Sequence, residues 1–186
     1  MAVDMERSEV AYHEAGHVVA HYVLRAKYNS VTIEPTDDYA GYVGTPNPWR
    51  SFVPETARDT TEDRNRLEKF AMLRLAGPIA QEIFLGTSVP DWTGRTGDWG
   101  AAFDALCYIS GSYEEATAHV EWLKHRTRRM FLQRDGIYFT AVEAVAKALL
   151  AKGRLSYRES RKITKSAISK FMLDAIGQAR PETPAL

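Results

Sequence analysis

Two histidines four residues apart, His13 and His17, with Glu14 directly after the first, are the side chains best placed to do chemistry in this chain. They fit the pattern His-Glu-x-x-His. Residues four apart on a helix share a face, with Cβ atoms about 5–6 Å apart. Two imidazoles at that spacing can converge on one Zn2+ at about 2.0–2.1 Å each. Glu14 then stands beside the coordination position left open for water. Zinc lowers the pKa of such water to about 7, so a carboxylate base completes the deprotonation near neutral pH. On an ordinary surface helix the same pattern is two unconnected histidines. Here it lies among apolar residues, and its variable positions, Ala15 and Gly16, are small enough for another element to pack close.

A catalytic zinc site needs three protein ligands and one open position. A histidine six residues after His17 would mark one large class of zinc peptidases, but position 23 is Val. His21 shares the face of His17 yet would have to reach back a full turn, so it reads as core-facing or as a support for the ligands. Two carboxylates remain as candidates. Glu82 lies on a later helix. Asp98 sits where the glycine-rich run Gly94-Arg95-Thr96-Gly97 meets a helix, a place where a short carboxylate can point into a cleft or simply cap the helix.

These residues need elements to hold them. The first helix is expected from Asp4 or Ser8 to about Arg25, with Val10, Val18, Tyr22 and Leu24 as apolar contacts. Residues 30–33 (Ser-Val-Thr-Ile) and 41–45 read as short strands, and the proline-bearing stretch 46–60 as an irregular loop. A second helix opens at Thr61 or Asp63 and closes at Gly86, with Pro78 as a kink or packing point. Further helices are expected over about 99–110, 113–133 and from the capping box Thr140-Ala-Val-Glu143 to Gly153. A second capping box, Ser156-Tyr-Arg-Glu159, opens the last helix. The reading is an α+β domain, mainly helical, with a small sheet in the N-terminal third. It is one domain over 1–178, with a zinc-binding part about 1–112, a helical part about 113–178 and a frayed tail 179–186.

The 186 residues are 45% hydrophobic and 26% charged, which suffices for one packed core and argues against disorder. Lys plus Arg and Asp plus Glu total 24 each, so no global field draws in nucleic acid or an anionic membrane. The basic run Lys124-His-Arg-Thr-Arg-Arg129 reads as the solvated face of an amphipathic helix. Cys107 is alone, so no internal disulfide forms. With neither a secretory signal nor a stretch of about 20 apolar residues, the protein is expected to be soluble and cytoplasmic.

Tyr12-His-Glu-Ala-Gly-His17 closely resembles the peptidase domain of the FtsH family, the membrane-bound AAA+ zinc proteases. The resemblance continues in order through Ser30-Val-Thr-Ile-Glu-Pro35, Ala40-Gly-Tyr42, Leu75-Ala-Gly-Pro-Ile-Ala-Gln-Glu-Ile-Phe-Leu-Gly86, residues 94–101 and Ala148-Leu-Leu-Ala-Lys-Gly-Arg-Leu155 with Glu159, covering about 8–170. It implies a zincin-like fold, one Zn2+ per chain on His13, His17 and Asp98, and Glu14 as general base, with Glu82 structural or supporting. It also implies a polypeptide substrate bound along a sheet edge, 30–33 or 41–45. The chain departs from the family at Gly97, usually Asn, at Trp99, usually small and aliphatic, and at Pro78. No Gly-x-x-x-x-Gly-Lys-Ser/Thr loop is present, so the expected activity is ATP-independent hydrolysis of flexible or unfolded chains; the alternative is a catalytically silent zinc-binding module acting in protein–protein interaction or regulation. A homo-oligomer and a separate ATPase partner are both compatible with the sequence.

Overall fold

A computed structural model describes residues 2–36, 40–45, 60–87 and 97–178. The fold is α+β and mainly helical, in the order α1 (Ala2–Val23), β1 (Ser30–Thr32), β2 (Tyr42–Gly44), α2 (Thr61–Leu85), α3 (Gly97–Cys107), α4 (Tyr113–Lys152), β3 (Arg154–Ser156) and α5 (Tyr157–Gln178). Its centre is α1, which packs on both α2 and α4. From Ala11 to His21 almost every residue of α1 is buried, whichever face it lies on. A helix covered all round must bury whatever polar groups it carries, so Glu14, His17 and His21 are withdrawn from water with Val18 and Val19. The small residues at 15 and 16 serve this packing. A Cβ on Gly16 would stand 2.5 Å from the Ala76 carbonyl oxygen and 2.5 Å from the Ala80 Cβ, so only glycine admits α2 so close.

Helix α2 begins as the sequence predicts. Thr60 is its N-cap, accepting a hydrogen bond from the Asp63 amide, and Gly86 ends it in the left-handed conformation at φ 67°. Pro78 is buried within the helix. The Ser156 capping box also forms, with the Ser156 amide 3.0 Å from the Glu159 carboxylate and the Glu159 amide 3.3 Å from Ser156 Oγ.

Five expectations are corrected. Helix α1 starts at Ala2, earlier than Asp4 or Ser8, and α3 spans Gly97–Cys107 instead of 99–110. The Thr140 capping box does not form. Residues 133–136 break α4 with non-helical backbone, and helix resumes before Thr140, whose hydroxyl bonds back to the Gly136 carbonyl at 3.2 Å. A third strand, β3, follows Gly153 where only a turn between helices is expected. The sheet order is therefore β2-β1-β3, antiparallel, with Val31 opposite both Val43 and Leu155. This makes β1 the central strand. Its two edges are already paired, so residues 30–33 cannot offer an edge to another chain. The loop over 46–59, the run 94–96 and the tail 179–186 lie outside the described residues. Among the described residues, no helix is long and apolar enough to cross a membrane.

Candidate metal centre

Helices α1 and α2 run antiparallel through the centre, and their side chains meet in register. His17 faces Leu73, both histidines face Gly77, and His13 faces Gln81. Into this seam comes Asp98 from the first turn of α3, where the helix dipole favours a carboxylate. His13 Nε2 lies 2.9 Å from Asp98 Oδ2, His17 Nε2 lies 3.0 Å from the same oxygen, and the two nitrogens are 3.2 Å apart. His13, His17 and Asp98 are the one group of three or more potential metal ligands among the described residues.

The far side of each imidazole decides what these three atoms can do. His17 Nδ1 is 2.8 Å from the Leu73 carbonyl oxygen, which can only accept, so Nδ1 carries a proton. His13 Nδ1 is 3.2 Å from Gln81 Oε1 and donates to it as long as the amide oxygen faces the ring. In the neutral ring the lone pair then sits on Nε2, aimed at the centre. With both rings neutral, two lone pairs and a carboxylate oxygen at these separations repel unless a proton or a metal cation lies among them. Tetrahedral bonds of about 2.0–2.1 Å set ligand atoms about 3.3–3.4 Å apart, within a few tenths of an ångström of what is seen. The donor set therefore fits a divalent cation. Backbone space confirms the fit: a Cβ at position 77 would collide with His17 Nε2 and stand 2.6 Å from His13 Nε2. Glycine there is what leaves room for the centre.

Electrostatics agree. Burial alone would push His17 down, but the adjacent Asp98 carboxylate overrides it and lifts the imidazole to about 9. Burial likewise works against the Asp98 anion, and the two imidazoles still hold its carboxyl well below the usual carboxylate range. This pull on a proton at Nε2 is the pull a metal cation would feel. The second Asp98 oxygen, Oδ1, accepts from Arg74 at 3.2 Å, which leaves Oδ2 to the centre.

Glu14 belongs to the same buried cluster. Burial raises its pKa; His17 and His13 pull it back in part, and Asp98 adds to the rise. The approach to β2 closes over it. A Cβ on Gly41 would stand 2.8 Å from Glu14 Cγ and 2.9 Å from Glu14 Oε1, so this backbone lies directly against the carboxyl.

The other candidates are placed elsewhere. Glu82 is buried but its carboxylate is taken by Arg128 of α4. His21 is buried against Tyr28, ring centroids 5.4 Å apart, and faces the core. Of the basic run, Arg128 holds Glu82, Lys124 lies over Trp99 and Arg126 over Trp122. Arg74, Gly77, Gln81 and the Leu73 carbonyl were not among the sequence candidates. Their spacing held a signal: 73, 77 and 81 share one face of α2, where a glycine and an amide interrupt an apolar stripe. No protein-family model matches this chain, and no curated protein matches it.

Proposed function

We propose that this chain is a zinc-dependent metalloendopeptidase of the FtsH type, with His13, His17 and Asp98 as zinc ligands and Glu14 as general base. The observation that carries the reading is the convergence of His13 Nε2, His17 Nε2 and Asp98 Oδ2 within 3.2 Å of one another, beside a buried carboxyl whose pKa is raised. Zinc, when bound there, supplies a Lewis acid that polarises the scissile carbonyl and lowers the pKa of water to about 7. Glu14 performs the proton transfers. It accepts one proton from the attacking water as the water oxygen bonds to the carbonyl carbon. It then delivers the proton to the amide nitrogen as the C–N bond breaks, releasing a carboxyl end and an amine end.

The substrate of this reading is a flexible or unfolded polypeptide. Strand β2, whose partner is β1 on one side, leads out of the backbone that lies against Glu14. An extended segment pairing along β2 would be held by main-chain hydrogen bonds, which tolerate many sequences. The test is Glu14→Gln, assayed for zinc content and for casein cleavage. One zinc per chain should be retained, and hydrolysis should fall by about 10²–10⁴. Substantial remaining cleavage would reassign the base. A wild-type chain that holds one zinc and cleaves nothing would sink the peptidase reading.

A further inference from the structure

The hydrogen bonds that orient the metal centre do not end at its neighbours. His17 is oriented by the Leu73 carbonyl, which is fixed in the backbone of α2. His13, the more exposed ring at 24% against 11%, is oriented by a side chain, Gln81. A primary amide has nearly the same shape in both senses, and an imidazole can carry its proton on either nitrogen. The Gln81–His13 contact alone therefore fits either way round: the amide oxygen could accept from Nδ1, or the amide nitrogen could donate to it. In the second arrangement the His13 proton moves to Nε2 and the lone pair turns away from Asp98 and His17.

One residue breaks the tie. Glu9, one helical turn before His13 on α1, has Oε2 at 3.1 Å from Gln81 Nε2. A carboxylate only accepts, so the amide nitrogen must face Glu9 and the amide oxygen must face His13. The proton is then held on His13 Nδ1, and Nε2 is left free for a metal. We infer that Glu9 is a positioning residue for the metal centre: through Gln81 it sets the tautomer in which His13 can act as a ligand. The consequence at the metal rests on the zinc reading above. Among the hydrogen bonds of the described residues Glu9 reaches Gln81 and neither His13 nor Asp98, so its influence on the centre passes through the sense of one amide.

The experiment measures zinc affinity by competition with a chromophoric chelator, and the visible spectrum of the Co2+-loaded chain. The variants are Glu9→Gln and the exchanged pair Glu9→Gln with Gln81→Glu; the melting temperature of each metal-free variant reports the fold. Glu9→Gln keeps size and shape but can donate as well as accept, so it no longer dictates the sense of Gln81. Affinity should fall about tenfold, the low end of the about 10–100-fold that losses of ligand-orienting partners cause, and the Co2+ band should shift. The exchanged pair restores an acceptor against His13 Nδ1 and a donor at position 9, so affinity and band should return. A merely structural Glu9 would not be rescued by moving the charge to position 81. Wild-type affinity and spectrum in Glu9→Gln, or no recovery in the exchanged pair, overturns the role of Glu9 alone. Failure of the wild-type chain to bind zinc or Co2+ overturns both this role and the zinc reading.

Discussion

Replacing Gly77 by Ala should abolish tight metal binding while leaving the fold standing. The added Cβ would stand 2.6 Å from His13 Nε2 and 2.7 Å from His13 Cδ2, and closer still to His17 Nε2. Ordinary contact begins at 3.4 Å, so the His13 ring must retreat by about 0.8 Å (3.4 minus 2.6) and His17 by more. Metal–ligand bonds tolerate displacements of only about 0.2 Å. At least one imidazole leaves the coordination sphere. Loss of an orienting partner alone costs about 10–100-fold in affinity, so loss of a ligand should cost at least about 100-fold. Stability responds differently. Alanine gains about 1 kcal/mol over glycine in a helix interior, against about 1–3 kcal/mol for overpacking. The clashing atoms are ring ends that can swing, so the metal-free variant should melt within about 2 kcal/mol of wild type, roughly 4–8 °C in a chain of this size. Chelator competition and thermal melting in EDTA measure the two effects separately. A variant that binds zinc as tightly as wild type would refute the placement of the centre against α2.

Asp98→Ala should lose zinc, whereas Glu82→Ala should keep it and lose stability, because it strips the partner from Arg128; metal content after dialysis, with thermal melts, decides, and the reverse pattern would make Glu82 the ligand. The buried His21 is held down at about 4, chiefly by desolvation. Below about pH 6.5 the unfolded chain binds a proton there that the folded chain refuses, so stability falls as pH drops from about 6.5 towards 4. Between pH 6.5 and 5 this amounts to roughly 2 kcal/mol, and His21→Phe should remove that slope in urea denaturation of the EDTA-treated chain. The purified chain should cleave casein without ATP and leave a tightly folded protein largely intact, since global opening of a folded domain costs about 5–15 kcal/mol. Rapid ATP-stimulated degradation of the folded protein would refute this.

Residues 13, 14 and 17 were legible in the chain itself because their relation is local: a spacing of four on one helix puts two imidazoles on one face whatever surrounds them. The same holds for the Thr61 and Gly86 ends of α2 and the Ser156 capping box, where side-chain caps and a left-handed glycine act on backbone three or four residues away. Asp98 was one of two open carboxylates until position in space separated them. It lies 81 residues from His17 in sequence, and what excludes Glu82 is Arg128, from a helix whose docking no local pattern encodes. Strand β3 was hidden for a related reason. Three residues carry no period, and Arg154–Ser156 becomes a strand only because β1 lies alongside to exchange hydrogen bonds with it. Gly77, Gln81 and Glu9 acquire meaning only once α1 and α2 pack antiparallel. Then a missing Cβ becomes room for two imidazoles to converge on Asp98, and the sense of one amide bears on which nitrogen of His13 faces that carboxylate.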